Sequence, residues 1–265
     1  LKAPGRRVTY LPGNHDMDMI FPAAQRVFCR ALTGNDIDER VQFIVERDHY
    51  RLEGGVEIHH GHQFEAMNAF DWKQLTLERN QEEPILNLPW GSLFILQVLN
   101  KFMEERPYLD KVYPFWPVIA GGMLLDTRFT VRLSATASYY FLRARVSPLW
   151  RHRRPFTKMA KFLMNEVNLF EKHEKTAQRL FKADPTLRAV IMGHTHIEMV
   201  RTFGRGERVY VNTGTWVPMV SLNVETLGKN PNAHYALIRY RGGDLPQVSL
   251  MRWYGKRSVH EEVYF

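Results

Sequence analysis

The sequence predicts an α/β fold interrupted by a helical block, and three observations predict it. Short apolar runs of strand character, bounded by Gly, Pro, Asn and Asp, recur through residues 1–64 and again through 185–265. Between them, residues 65–184 hold mainly helix-like stretches punctuated by Pro84, Pro89, Pro107, Pro114, Pro117 and Pro148. Several of the strand ends carry histidines, and strand ends are where open α/β sheets bind ligands. The expected organisation is therefore a core made of residues 1–64 and 185–265, with residues 65–184 as a helical insertion or cap.

In chain order, Arg7-Val8-Thr9-Tyr10-Leu11 is a short strand stopped by Pro12-Gly13, with Asn14-His15-Asp16 directly after it. Phe21 to Leu32 places Ala24, Val27, Phe28 and Ala31 at helical spacing, and Gly34-Asn35 is its stop signal. Val41 to Val45 is a strand. Tyr50-Arg51-Leu52 and Val56-Glu57-Ile58 flank Gly54-Gly55 as arms of a tight hairpin, and the second arm runs into His59-His60-Gly61-His62. In the helical block, Leu93 to Met103 is apolar nearly all round, and Phe115, Trp116 and Ile119 lie among prolines and glycines. Phe156 to Phe181 has the cleanest helical period, through Met159, Leu163, Val167, Phe170, Ala177 and Leu180.

Ala189-Val190-Ile191-Met192, with Asp184-Pro185 before it and Gly193 after it, is a buried strand of a parallel or mixed sheet, and it delivers Gly193-His194-Thr195-His196 to its end. Met199 to Phe203 and Arg208 to Val211 form a hairpin about Gly204-Arg205-Gly206. Asn212-Thr213-Gly214-Thr215-Trp216 is a further strand-end loop, and Tyr235 to Tyr240 and Val248 to Tyr254 alternate about Gly242-Gly243.

Composition narrows the chemistry. The single cysteine, Cys29, leaves neither a disulfide framework nor a thiolate zinc site within this chain, which fits a reducing compartment. The most apolar stretch, Ile85 to Leu99, is broken by Asn87, Pro89 and Gly91 and falls short of the roughly 20 residues of a spanning helix. The formal charge of +8 is concentrated. Between Thr127 and Asn165 there is no acidic residue, while Arg128, Arg132, Arg143, Arg145, Arg151, Arg153, Arg154, Lys158 and Lys161 leave everything else at −1. That segment, with Trp150, Phe156 and Tyr139-Tyr140-Phe141 interleaved, suits an anionic partner: phosphate, nucleic acid or an acidic membrane surface.

Imidazole and oxygen ligands without thiolate suit manganese, iron, zinc or similar divalent ions. Two such ions about 3.5–4 Å apart can clamp a phosphoryl group. Gly13-Asn14-His15-Asp16, His60-Gly61-His62 and Gly193-His194-Thr195-His196 resemble, in order and context, the last three signature motifs of the calcineurin-like metallophosphoesterases. That resemblance implies an α/β/β/α sandwich of two sheets and a pair of divalent ions, manganese first, with iron, zinc or nickel as alternatives. It implies metal ligation by Asn14, His60, His194 and His196, with His15 protonating the leaving group and Asp16 orienting His15. His59 is expected to be structural or exposed, His62 to support a metal ligand or to contact substrate, and Asn212, Arg143 and Arg145 are candidates for contact with substrate. Asn212 and Thr215 have turn formation as an equal explanation, and His152, His173, His234 and His260 have no motif around them.

The family's first two motifs, an Asp-X-His and a Gly-Asp pair, normally precede the Gly-Asn-His-Asp motif, but only twelve residues precede it here. Asp36, Asp38 and Asp48 follow it and cannot supply those carboxylates in the usual topology, so the chain is expected to be a fragment, the alternative being a lost binuclear site, and its activity alone is left open. The activity implied is hydrolysis of a phosphoester or pyrophosphate bond by a metal-bound hydroxide, on a nucleotide-linked or lipid-linked substrate. A helical cap beside a basic segment resembles the arrangement of the UDP-2,3-diacylglucosamine pyrophosphatases, which implies a cytoplasmic, peripherally membrane-associated enzyme. The alternatives are a nuclease or nucleotide phosphodiesterase, with nucleic acid the less favoured partner, and a non-catalytic interaction module.

Overall fold

The computed structural model describes residues 1, 4–65, 67–78, 82–107, 109, 112–113, 115–146, 169–217, 219–221, 228–230, 233–242, 245–255 and 260–262. These form a mixed α/β architecture. Strand β1 (Val8–Tyr10) is followed by helix α1 (Pro22–Thr33) and by β2 (Val41–Phe43), which pairs with β1 in parallel. Pro22 opens the helix, where its missing N–H costs nothing. Gly34 closes it in the left-handed region at φ 85°, its N–H bonded to the Arg30 carbonyl at 2.9 Å. Tyr10, Phe28 and Phe43 bind the unit together, with ring centroids 4.8 Å apart for the first pair and 5.7 Å for the second.

Strands β3 (His49–Leu52) and β4 (Val56–His59) make the expected hairpin. Gly54 and Gly55 both have positive φ, 70° and 77°, the conformation that a two-glycine turn supplies most cheaply. A side chain on Gly55 would collide with the Thr186 carbonyl, because the turn is docked on the chain entering the central strand. The Gly55 carbonyl accepts the Arg188 and Ala189 N–H groups at 2.7 and 3.1 Å.

The main sheet has the order β3-β4-β8-β10-β9, where β8 is Ala189–Met192, β9 is Glu198–Phe203 and β10 is Arg208–Thr213. The three middle strands run parallel, and the outer two antiparallel to their neighbours. All four residues of β8 are buried, as its continuous apolar run requires of a strand covered on both faces. Its alternate side chains divide the core. Ala189 and Ile191, with Val56 and Val211, meet Ala236, Ile238, Val248 and Leu250 of a second sheet built on β12 (Ala233–Arg239) and β13 (Gln247–Trp253). Val190 and Met192, with Tyr210, meet Ala177, Leu180 and Phe181 of a helix, Leu169–Ala183, here α6. The layers are thus helix, mixed sheet, antiparallel sheet.

The segment expected to be a separate cap differs in two ways. Helix α6 falls inside 65–184 yet belongs to the core, because its apolar face packs on the main sheet; the insertion therefore ends before residue 169. The rest is not purely helical. Strands β5 (Thr76–Leu77) and β6 (Ile85–Leu86) form a small hairpin, and β7 (Val112–Tyr113) pairs with β11 (Met219–Ser221) from the C-terminal part. The apolar stretch forms α2 (Trp90–Phe94), a π-helical turn (Ile95–Leu99) and α3 (Asn100–Met103). These pack with α5 (Thr127–Val146), which follows α4 (Phe115–Leu125), through Val98, Phe102, Leu109, Phe129 and Leu133, a cluster distinct from the sheet core. Among the described residues no helix is long and apolar enough to cross a membrane. Most of the expected helix from Phe156 to Phe181, and Arg151, Arg153, Arg154, Lys158 and Lys161, lie outside the described residues.

Candidate functional site

Because β4 and β8 are parallel neighbours, their carboxyl ends lie at the same edge of the sheet, and that edge brings the histidine loops together. The Gly193 N–H donates to the His60 carbonyl at 3.0 Å, fastening one loop to the other. Gly61, at φ 116°, closes the approach: a Cβ there would stand 3.1 Å from His194 Cβ. The loop after β1 arrives from the other side. Gly13 lies against the His60 ring, so that a Cβ on it would be 2.5 Å from His60 Nε2 and 2.9 Å from Asp16 Oδ1. Gly13 has no positive φ, so its backbone would accept alanine and the obstacle is the imidazole.

Gly13→Ala is accordingly expected to push the His60 ring aside and to cost about 1–3 kcal/mol by overpacking, read from the urea midpoint. Gly121→Ala, where a Cβ meets open space on α4, is the matched control and should be neutral or slightly stabilising. Equal behaviour of the two would mean that Gly13 is not in contact with His60.

His194 is the hub. Its Nδ1 is 3.1 Å from Asn14 Oδ1 and its Nε2 is 2.7 Å from Glu65 Oε2. Its ring centroid is 5.2 Å from that of His60 and 6.0 Å from that of His173. His60 and His62 face each other through their Nδ1 atoms at 3.2 Å. The backbone is bent to achieve this, with His194 at φ 70° and His196 at φ 62°, left-handed conformations rare outside glycine and Asn-like residues. Among the described residues, no three His, Cys, Asp or Glu side chains are gathered as a ready cage for a metal ion. The two imidazoles of His60 and His194 are accompanied instead by the Asn14 amide oxygen.

Burial favours the neutral form of the His60, His62, His196 and His15 imidazoles. Burial, then the neighbouring His194, His62, His15 and His196, push His60 down to about 2. Burial and His194 likewise bring His62 and His196 down to about 4, and His15 below its ordinary value. Neutral imidazole is the form that ligates a metal. For Glu65, burial acts upward, but the hydrogen bond and charge of His194 and the Asn68 amide hold its carboxyl below the usual range.

Several expected roles change on inspection of the contacts. Asp16 does not hydrogen-bond His15: its oxygens take the Tyr10 hydroxyl and the Gly13 N–H, the latter at 2.8 Å, so it closes the turn and acts on His15 only through space. His59 is structural and buried, between Glu57 Oε2 at 3.1 Å and Gln63 Nε2 at 2.9 Å. His62 is buried against Phe70 with its Nδ1 toward that of His60, a position that supports the His60 ring and does not face outward toward a substrate. Asn212 is corrected in the same way. Its amide donates to the Gly193 carbonyl at 2.9 Å and its oxygen accepts the Gly214 N–H at 3.0 Å, bracing two loops instead of facing outward. Thr215 forms its turn by accepting the Val217 N–H at 3.0 Å. Arg143 is exposed on α5, and the side chain of Arg145 lies outside what is described. Asp36 and Asp38 are engaged with Arg30 and Arg40, and Asp48 with His49.

Two residues join the site without a motif to announce them. Glu65 follows the His60-Gly61-His62 run by three positions, and that adjacency was its only signal. His173 shares the apolar face of α6 with Ala177 and Leu180 and is 3.2 Å from the Gly61 carbonyl through Nε2.

The sequence matches no family model and no curated protein. It is similar to a solved structure of a double mutant of Vps29 from Entamoeba histolytica, at 15% identity and a TM-score of 0.24, over 35% of this chain and 47% of that one. The chain thus spans about half the length of that protein.

Proposed function

We propose that this chain carries the Asn/His half of a metal-dependent phosphoesterase site that hydrolyses a phosphoester or pyrophosphate bond, within an α/β/β/α sandwich of the calcineurin-like type. The observation that carries the reading is the meeting of Asn14 Oδ1 and His194 Nδ1 at 3.1 Å beside the His60 ring. Three loops distant in sequence deliver one amide oxygen and two imidazoles to one point, the donor set of a borderline divalent ion such as manganese, iron, zinc or nickel. Asn14, His60 and His194 therefore fit one ion. A second would find His196 without a carboxylate, so the donors described support one ion and not the expected pair.

When bound, such an ion supplies Lewis-acid polarisation of a phosphoryl oxygen and an acidified water. The chain's own contributions are distinct. His15 keeps an exposed edge beside the cluster and is placed to give its proton to a leaving oxygen. Burial and His194 hold its pKa down, and the negative charge of an arriving phosphate would raise it toward the working range.

For the substrate, the insertion offers Arg128, Arg132 and Arg143 on α5, with Leu124 and Leu125 highly exposed at the end of α4. Arg132 is already engaged with Glu105 at 2.8 Å. An apolar corner beside cationic side chains supports a substrate with an anionic head and an apolar tail, and a peripheral position on an acidic membrane surface.

The test is elemental analysis of the chain after equilibration with Mn2+ and dialysis, with a bis-aryl phosphodiester assay on the loaded protein. About one ion per chain with measurable turnover is expected. Absence of both would overturn the hydrolase reading in favour of an interaction module.

A further inference from the structure

Resting on that reading, we propose that Glu65 is the positioning residue of His194: its carboxylate takes the ring's Nε2–H and thereby fixes the ring with Nδ1 facing Asn14. A carboxylate only accepts, so the nitrogen beside Glu65 must be the donor. The 2.7 Å separation of Nε2 and Oε2 is that of a strong, charge-assisted hydrogen bond. Glu65 cannot easily swing away. It is buried, Asn68 Nδ2 donates to the same Oε2 at 2.8 Å, and its own backbone accepts the Ala69 N–H at 2.9 Å and donates to the His62 carbonyl at 3.0 Å.

Geometry separates this role from direct ligation. Asn14 and Glu65 meet opposite nitrogens of the ring, so Glu65 acts through the imidazole on whatever Asn14 and Nδ1 share. Metal-binding histidines commonly donate their second nitrogen to a carboxylate in this way, which fixes tautomer and orientation and raises ligand basicity. The consequence is specific to this fold. Glu65 stands where the chain leaves the core for the insertion, so the register of the insertion's first turn is tied to the metal-facing atom of a residue 129 positions away.

Two measurements test it on the whole chain. The first is the His194 tautomer in the metal-free protein, from long-range nitrogen–proton spectra of uniformly 15N-labelled material. Wild type should show a proton on Nε2. Glu65→Ala should take that proton away and leave the Nδ1–H form, whose proton Asn14 Oδ1 accepts. The second is Mn2+ affinity by titration calorimetry. Glu65→Ala should lose about 10- to 100-fold, and Glu65→Gln, which still offers one oxygen in the same volume, should lie between it and wild type. Glu65→Gln also keeps the test decisive where alanine impairs folding. An unchanged tautomer with unchanged affinity in both variants would overturn the proposal. Complete loss of binding in Glu65→Gln would overturn it too, by making Glu65 a ligand. If wild type holds no Mn2+, the hydrolase reading falls, and the tautomer alone still decides the role of Glu65.

Discussion

His194→Ala is expected to abolish Mn2+ binding, whereas His15→Ala is expected to leave binding intact and to lower turnover by about two to four orders of magnitude. The contrast follows from where each ring sits. His194 is the point at which the loops after β1, β4 and β8 meet, within hydrogen-bond distance of Asn14 and Glu65 and packed beside His60 and His173. Its removal takes away a donor and the contact that aligns the others. It also takes from the buried Glu65 carboxylate one of its two hydrogen-bond donors, a loss worth about 1–3 kcal/mol. His15 keeps an exposed edge, its side chain is not among the contacts that join the loops, and alanine there leaves the donor set whole. Equilibrium dialysis with Mn2+ and phosphodiester turnover on the two variants, with far-UV circular dichroism to confirm folding, reads the difference. Metal retained by His194→Ala, or lost by His15→Ala, would reverse the two assignments.

How much of this was legible in the sequence depends on the range of the interaction concerned. The strand ending at Met192 announced itself through an unbroken apolar run, because a strand covered on both faces has no polar alternation to keep. The Gly54-Gly55 hairpin was equally plain, since positive φ at consecutive residues has few chemical solutions. Such features are local. The assignment of α6 to the core was not legible, because helical periodicity fixes which face is apolar but not which surface will cover it. The pairing of Glu65 with His194 joins residues too far apart for any pattern to express. Asp16 illustrates a different limit. A motif places a carboxylate next to His15, yet the Tyr10 hydroxyl and the Gly13 N–H are nearer partners, and local turn chemistry takes both oxygens.

Acidification should unfold this chain over a range in which an ordinary surface histidine would merely titrate. The unfolded chain takes up protons on histidine near the ordinary value of about 6.5. In the folded chain, burial and mutual repulsion bring His60 to about 2 and His62 and His196 to about 4. Between those limits the unfolded state binds more protons, so stability is fully present above about pH 6.5 and falls as pH falls toward the folded values. Three such imidazoles, each losing about 1.4 kcal/mol per pH unit below that point, amount to on the order of 5 kcal/mol between pH 7.5 and pH 5. That compares with a total stability of about 5–15 kcal/mol for a natural domain. Glu65, held below its ordinary range, adds a loss of the same sign only at lower pH. Urea midpoints at pH 7.5, 6 and 5 in metal-free buffer give the slope, and His60→Asn should flatten it by removing the most depressed group. A midpoint that stays level or rises on acidification would mean that these rings are already solvated in the folded chain, and the packed cluster on which the metal reading depends would not exist in solution.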